Sequence, residues 1–140
     1  MRYVFRLGAL AALVIAPWSV ARAQRAGDPG LGLWKGLKAA LLAPDGQSYF
    51  DMAMKGAQLP TLKGKVVRLE PNTNPTTILL AVEDGVTADA TLRFHRPLEG
   101  TVDVGKQLSF EGVAESFTRT PFMIVFDVED DHLHGWPRSH

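Results

Sequence analysis

The chain has 140 residues with 15 basic and 15 acidic side chains, so its formal net charge is zero, and it contains no cysteine. The missing thiols exclude disulfides, thiolate metal sites, a cysteine nucleophile and a lipidated cysteine. The balanced charge gives no electrostatic reason to expect a nucleic acid or an anionic membrane as partner.

Residues 1–23 are predicted to form a secretory signal peptide. A basic start with Arg2 and Arg6 precedes an apolar segment of about a dozen residues, and Ala21-Arg22-Ala23 has the small-x-small form of a cleavage site. We therefore expect a periplasmic or secreted mature chain that begins at Gln24, with an uncleaved N-terminal anchor as the alternative. Cleavage removes three arginines and no acid, which leaves 12 basic and 15 acidic side chains. No later segment is apolar enough to span a membrane.

Residues 24–59 are predicted to form a helical leader. Asp28 can cap a first helix with Pro29 at its first position, and apolar residues then recur at helical spacing. Pro44-Asp45-Gly46 ends this helix, and Asp45 can cap a second one. The apolar stripes of the two helices are Leu33, Trp34, Leu37, Ala40 and Leu41, then Tyr49, Phe50, Ala53, Met54 and Ala57. We expect this helical hairpin to cover the β core that follows.

Residues 60–137 carry the pattern of β-strands. We predict five strands, at 62–69, 76–82, 90–95, 106–117 and 122–128. The alternation of the fourth strand loses its phase at Gly112, which predicts a bend or β-bulge there. Phe110, Ile124 and Phe126 should face inward.

Five short strands with glycine bends suit a small closed barrel, because closure removes exposed edges. The segments LKGKVV, TTILLAVEDG, ADATLRF, PLEG and VGKQLSFEGVAESFTRTPFMIVFDV resemble an OB-fold barrel. More closely, they resemble the OB-like domains of small, uncharacterised exported bacterial proteins, over residues 62–136. The resemblance implies a mainly β fold with an N-terminal helical hairpin; an SH3-like barrel or a small β-sandwich is the alternative. Residues 97–105 are too short and Gly-rich for the usual OB helix, so the leader is expected to plug the barrel.

In OB-folds, ligands lie across strands two and three, between the loops after strands one and four. The corresponding outward residues here are Thr77, Leu79, Ala81, Glu83, Thr91, Arg93 and His95. This face has no aromatic residue and one arginine, whereas binders of single-stranded nucleic acid stack bases on aromatics in a positive groove. A nucleic acid is therefore not the expected partner.

The loop after the fourth strand is a second candidate. Arg119 lies between Phe117 and Phe122, and an arginine flanked by aromatics could hold a carboxylate, a peptide or a sugar ring. The alternative is that both phenylalanines close the end of the barrel and Arg119 is solvated.

Asp130, Asp131, His132 and His134 form the only local cluster of metal-ligand residue types. His-x-His on a strand places both imidazoles on one side, and a nearby carboxylate could add a ligand for zinc, copper or nickel. The alternative is a solvated polar tail near the end of the chain.

No motif of a known catalytic type is present, such as G-x-S-x-G, H-E-x-x-H or a Gly-rich phosphate loop. We therefore assign no catalytic residue and no cofactor, and favour a binding protein over an enzyme. The first hypothesis is an exported OB-like binding or scaffolding domain that recognises protein, peptide or envelope glycan. The second is a metal-binding protein or metal-dependent enzyme that uses the C-terminal Asp/His cluster. The sequence does not indicate an oligomeric state.

Overall fold

A computed structural model of the protein describes residues 28–138. The expected signal peptide lies outside these residues. The described chain is mixed α and β but mainly β, with two N-terminal helices followed by seven strands in one mixed sheet. Among the described residues, no helix combines the length and the hydropathy needed to cross a membrane.

The helical elements are α1 (Pro29–Leu42), α2 (Gly46–Tyr49), a π-helical turn (Phe50–Met54) and a late 3₁₀ turn (Asp130–His132). The strands are β1 (Leu62–Glu70), β2 (Thr77–Ala81), β3 (Ala90–Arg93), β4 (Gln107–Phe110), β5 (Val113–Arg119), β6 (Phe122–Asp127) and β7 (Leu133–His134). They are ordered β5-β6-β3-β2-β1-β4-β7 across the sheet. β3 and β6 are parallel, and the other paired strands are antiparallel.

The sheet is open and has seven strands, where the sequence predicted five strands in a closed barrel. The predicted fourth strand is divided into β4 and β5, and the short β7 pairs with β4. The division falls at Gly112, as predicted. A Cβ atom there would lie 3.0 Å from Val128 Cγ2 and 3.1 Å from Phe126 Cβ, so a larger residue would require these side chains to move by a few tenths of an ångström.

The predicted strand phase is confirmed, because Phe110, Ile124 and Phe126 are each fully buried. The helices belong to the same core. Trp34 of α1 is also fully buried, and its ring centroid lies 6.0 Å from that of Phe122 and 6.3 Å from that of Phe126. Leu37, Leu41, Phe50 and Met54 complete the helical contribution to this cluster. The leader therefore packs on the inner face of the sheet.

The first helix of the leader, α1, begins where the sequence predicted. The Asp28 carboxylate accepts a 2.7 Å hydrogen bond from the Gly30 N–H, which caps α1. Asp45 makes no side-chain cap, contrary to the prediction, and α2 is only four residues long before the π-helical turn begins.

The end of the leader covers an edge of the sheet. The Gly56 N–H donates to the Ala114 carbonyl at 3.1 Å, and the Leu59 N–H donates to the Gly112 carbonyl at 3.0 Å. Gln58 forms an isolated antiparallel bridge with Val113. These bonds pair the first residues of β5, whose outer edge would otherwise present unpaired backbone groups.

Candidate binding face and C-terminal turn

The outward surface of the sheet carries a row of half-buried side chains at its centre. Register places Arg68, Leu79, Thr91, Val125 and Ser116 next to one another across β1, β2, β3, β6 and β5. Leu79, Thr91 and Val125 are half-buried, whereas Arg68 and Ser116 at the two ends are exposed. The row is thus apolar in the middle and polar at both ends.

Met123 extends this apolar centre along β6. Its sulfur lies 3.2 Å from the Thr91 hydroxyl, which donates a hydrogen bond to it. We call the surface formed by Leu79, Thr91, Met123 and Val125 the outer face. It lies opposite the side of the sheet on which Trp34 packs, because Ile124 and Phe126 alternate with Met123 and Val125 along β6.

Ion pairs lie along one side of the outer face. The next row across the sheet contains Glu70, Thr77, Arg93, Asp127 and Val113. Arg68 and Glu70 are 2.9 Å apart, Arg93 and Glu115 are 3.7 Å apart, and the His95 ring lies 3.0 Å from Asp127. This side of the outer face therefore carries paired charges of both signs.

The structure brings together part of the predicted binding surface. Thr77, Leu79, Thr91 and Arg93 share the outward side of β2 and β3, and His95 adjoins them through Asp127. The other two predicted positions offer little to a ligand. The Glu83 carboxylate accepts a 2.8 Å hydrogen bond from Lys38 of α1. Ala81 pairs with the exposed Lys65 of β1, but its own side chain is only 1% exposed.

Phe117, Arg119 and Phe122 contact the helices and do not form one open site. Phe117 packs on Phe50 with ring centroids 5.1 Å apart, and the Arg119 guanidinium donates to the Ala43 carbonyl at 2.8 Å, at the end of α1. Phe122 packs edge-on against Trp34, with the Lys38 ammonium 5.4 Å from its ring centroid. These side chains hold the leader on the sheet.

The residues predicted as metal ligands separate into two groups. The His134 ring lies 2.9 Å from the Glu111 carboxylate, which also accepts a 2.6 Å hydrogen bond from Thr61. The hydrogen bond from Thr61, followed by that from His134, lowers the pKa of Glu111. Asp131 and His132 instead converge with Glu129, which the prediction did not include, and the ligand atoms of these three lie within 4.8 Å of one another.

Two cavities adjoin the turn that contains Glu129, Asp131 and His132. They have volumes of about 250 and 360 Å³ and share Arg96 and Asp130 in their walls. The smaller one is also lined by His95 and Glu129, and the larger one by Trp136. Both volumes are at or below the lower end of the range for small-molecule sites. Surface recognition therefore fits this part of the molecule better than enclosure of a small ligand.

Asp89 is a buried carboxylate that sequence reasoning missed. It is 7% exposed and accepts three N–H groups: Val82 at 2.7 Å, Glu83 at 3.2 Å and the Trp34 indole at 3.1 Å. Burial raises the pKa of Asp89, although the hydrogen bonds oppose this effect. Because both oxygens already accept hydrogen bonds, Asp89 links α1 to the sheet and is poorly placed to act as a base.

Comparison of the chain with protein-family models, with curated proteins and with solved structures finds no match. The function is therefore inferred from the geometry alone.

Proposed function

We propose that this protein is an exported binding module that docks a protein or peptide of the cell envelope on its outer face. The observation that carries the proposal is the apolar centre of Leu79, Met123 and Val125 with ion pairs along one side. Protein interfaces likewise combine an apolar core with polar surroundings, and they are enriched in Met and Arg.

The strand connections support a finer proposal, in which the sheet curls into an OB-like barrel. Only Glu111 and Gly112 separate β4 from β5, yet β4 pairs with β1 while β5 pairs with β6 at the other end of the sheet. One bent strand thus runs from β5, at one end of the strand order, to β4, the second strand from the other end. In an OB-fold, ligands lie over strands two and three, which here carry Leu79 and Thr91.

The chemistry of the outer face favours a protein or peptide over the other partner classes. The positive side chains beside it, Arg68 and Arg93, are both paired with carboxylates, so no positive groove is available for a phosphate backbone. Its centre has aliphatic and thioether side chains but no aromatic ring on which a sugar or a base could stack. A partner with an apolar centre and mixed charges would match it.

Export is part of this proposal and rests on residues 1–23. A basic start, a short apolar segment and Ala21-Arg22-Ala23 together support cleavage before Gln24. Mass spectrometry of the exported protein should then give a chain that begins at Gln24. An intact Met1 would contradict export by this route.

The proposed docking is tested by capture from the periplasmic or secreted fraction of the source cells. The bait is the mature chain, with a variant carrying Leu79→Glu and Val125→Glu, and partners are quantified by mass spectrometry. Glutamates at these positions would put two charges into the apolar centre, and we expect loss of any specific partner. The matched control carries Val86→Glu and Val104→Glu, because these valines are 76% and 71% exposed and lie outside the outer face.

The control variant should capture the same partner as the wild-type chain. Circular dichroism and thermal melting of both variants establish that they are folded. Equal capture by the outer-face variant would contradict the proposal. A further outcome is that the wild-type chain co-sediments with purified envelope glycan while the outer-face variant does not. That result would confirm the outer face as the binding surface but identify glycan as the partner.

A further inference from the structure

Three metal-ligand side chains converge at the turn between β6 and β7. Glu129, Asp131 and His132 each offer one ligand atom, and these atoms lie within 4.8 Å of one another. Zinc bonds to nitrogen and oxygen of about 2.0–2.2 Å place the ligand atoms of a tetrahedral site roughly 3.4 Å apart. Glu129 and Asp131 are exposed, so modest side-chain rotations suffice to close the remaining gap.

Within residues 28–138, no hydrogen bond or ion pair engages these three side chains. The contrast with the other two described histidines is informative. His95 has Asp127 as its partner at 3.0 Å, and His134 has Glu111 at 2.9 Å. Arg138 donates to the carbonyls of Asp130 and Leu133, and Arg96 lines one cavity together with Glu129 and Asp130. The Glu129 and Asp131 carboxylates thus lie close together without a paired cation among the described residues.

The turn is held at both ends, which distinguishes it from a frayed tail. On one side Val128 is buried, and its N–H donates to the Arg93 carbonyl at 2.9 Å. On the other side Leu133 is buried and pairs with Phe110. Inside the turn, the His132 N–H donates to the Glu129 carbonyl at 2.9 Å. Fixed backbone positions for all three residues reduce the ordering cost of binding an ion.

We propose that Glu129, Asp131 and His132 bind a divalent transition-metal ion, for which Zn²⁺ is the suitable probe. One imidazole and two carboxylates form a nitrogen and oxygen ligand set that suits zinc and its neighbours better than calcium or magnesium, which prefer oxygen alone. Three protein ligands leave a tetrahedral position open. This site is independent of the outer face, and either can exist without the other.

Calorimetric titration of the mature chain with zinc chloride tests the site. All proteins carry His140→Gln, so that this histidine outside the described residues cannot contribute. We expect Glu129→Gln, Asp131→Asn and His132→Gln each to weaken binding by roughly tenfold or more, since even changes beyond the direct ligands cost about 10–100-fold. The matched controls are Asp130→Asn, from the same turn, and His134→Gln, whose ring is bound to Glu111; both should bind nearly as the parent does.

Ring-nitrogen NMR shifts give a second readout that a loss of fold cannot imitate. Zinc should shift the ring nitrogens of His132 and leave those of His95 and His134 in place. The proposal is overturned if the parent does not bind zinc, if the controls lose as much affinity as the ligand variants, or if calcium binds as tightly as zinc.

Discussion

At the scale of single residues, the Asp89 carboxylate joins three parts of the chain. It accepts hydrogen bonds from the indole of Trp34 in α1 and from the backbone of Val82 and Glu83 after β2. The Asp89 carbonyl also accepts a 3.1 Å hydrogen bond from the N–H of Ile124 in β6. A buried carboxylate is tolerated here because its hydrogen bonds offset part of the cost of leaving water.

We expect Asp89→Ala to destabilise the fold by about 3 kcal/mol or more, because it leaves three N–H donors without their acceptor at a partly or fully buried position. The matched control is Asp103→Ala, since Asp103 is exposed and its carboxylate has no hydrogen-bond or ion-pair partner among the described residues. Its effect should stay within about 0.5 kcal/mol. Urea unfolding of both variants measures the difference, and equal midpoints would show that Asp89 contributes little.

The raised pKa of Asp89 also predicts how stability depends on pH. Folding raises the pKa of this carboxyl above its unfolded value of about 3.9. Its contribution is therefore fully present below that unfolded value and is lost as the pH rises through the folded pKa. Asn cannot titrate, so the stability of the wild-type chain relative to Asp89→Asn should decrease with rising pH. Urea unfolding of both proteins at a series of pH values checks this. If the free energy of unfolding of the wild-type chain rises with pH relative to that of Asp89→Asn, the prediction is contradicted.

Some of these residue roles were predictable and others were not. The Asp28 cap was predicted because its partner, Gly30, is two residues away and the pattern is local. Asp89 and Trp34 are 55 positions apart, and Glu111 and His134 are 23 apart. No spacing rule connects such pairs before the fold is known. The position of Glu129 beside His132 likewise depends on the shape of a turn.

At the scale of elements, glycines determine where the helices and strands can meet. At Gly112, between β4 and β5, the backbone lies close to Phe126 of β6. Gly46 sits against the end of α1, where an added Cβ would overlap the Leu41 carbonyl oxygen and lie 2.9 Å from Arg119 Nη2. By contrast, Gly36 in the middle of α1 has no heavy atom within 4 Å of the position of a Cβ.

The same substitution should therefore have opposite effects at two glycines. We expect Gly46→Ala to destabilise the protein by about 1–3 kcal/mol or more, because a backbone carbonyl cannot move aside as a flexible side chain can. Gly36→Ala should stabilise it by about 0.5–1 kcal/mol, because alanine is the better helix former at an open position. Thermal or urea unfolding of the two variants gives both signs, and two shifts of the same sign would contradict the packing described.

The sequence predicted most helices and strands, but it did not predict which strands pair with one another. The alternation around Phe110 and Phe126 gave the correct inward face because a strand repeats every two residues. The parallel pairing of β3 with β6 joins strands about thirty positions apart, and no pattern within either strand indicates its partner. β7 has only two residues, too few to show any alternation.

At the scale of the whole molecule, the leader and the sheet share one core. Trp34, Leu41, Phe50 and Met54 are at most 2% exposed and cluster with the inward side chains of the strands. The helices thus occupy one side of the sheet and leave the outer face on the other. α2 and the π-helical turn are too short to persist alone, so the leader and the sheet should depend on each other for stability.

Deleting residues 24–58 tests this mutual dependence most directly, with a chain of residues 24–140 as the control. The deletion uncovers Phe117, Phe122 and Phe126 and removes the backbone bonds from Gly56 and Gln58 to the edge of β5. We expect a chain that aggregates, binds a hydrophobic dye more strongly and lacks a cooperative thermal transition. A truncated chain that stays monomeric and melts at the temperature of the 24–140 control would show that the sheet is stable without the leader.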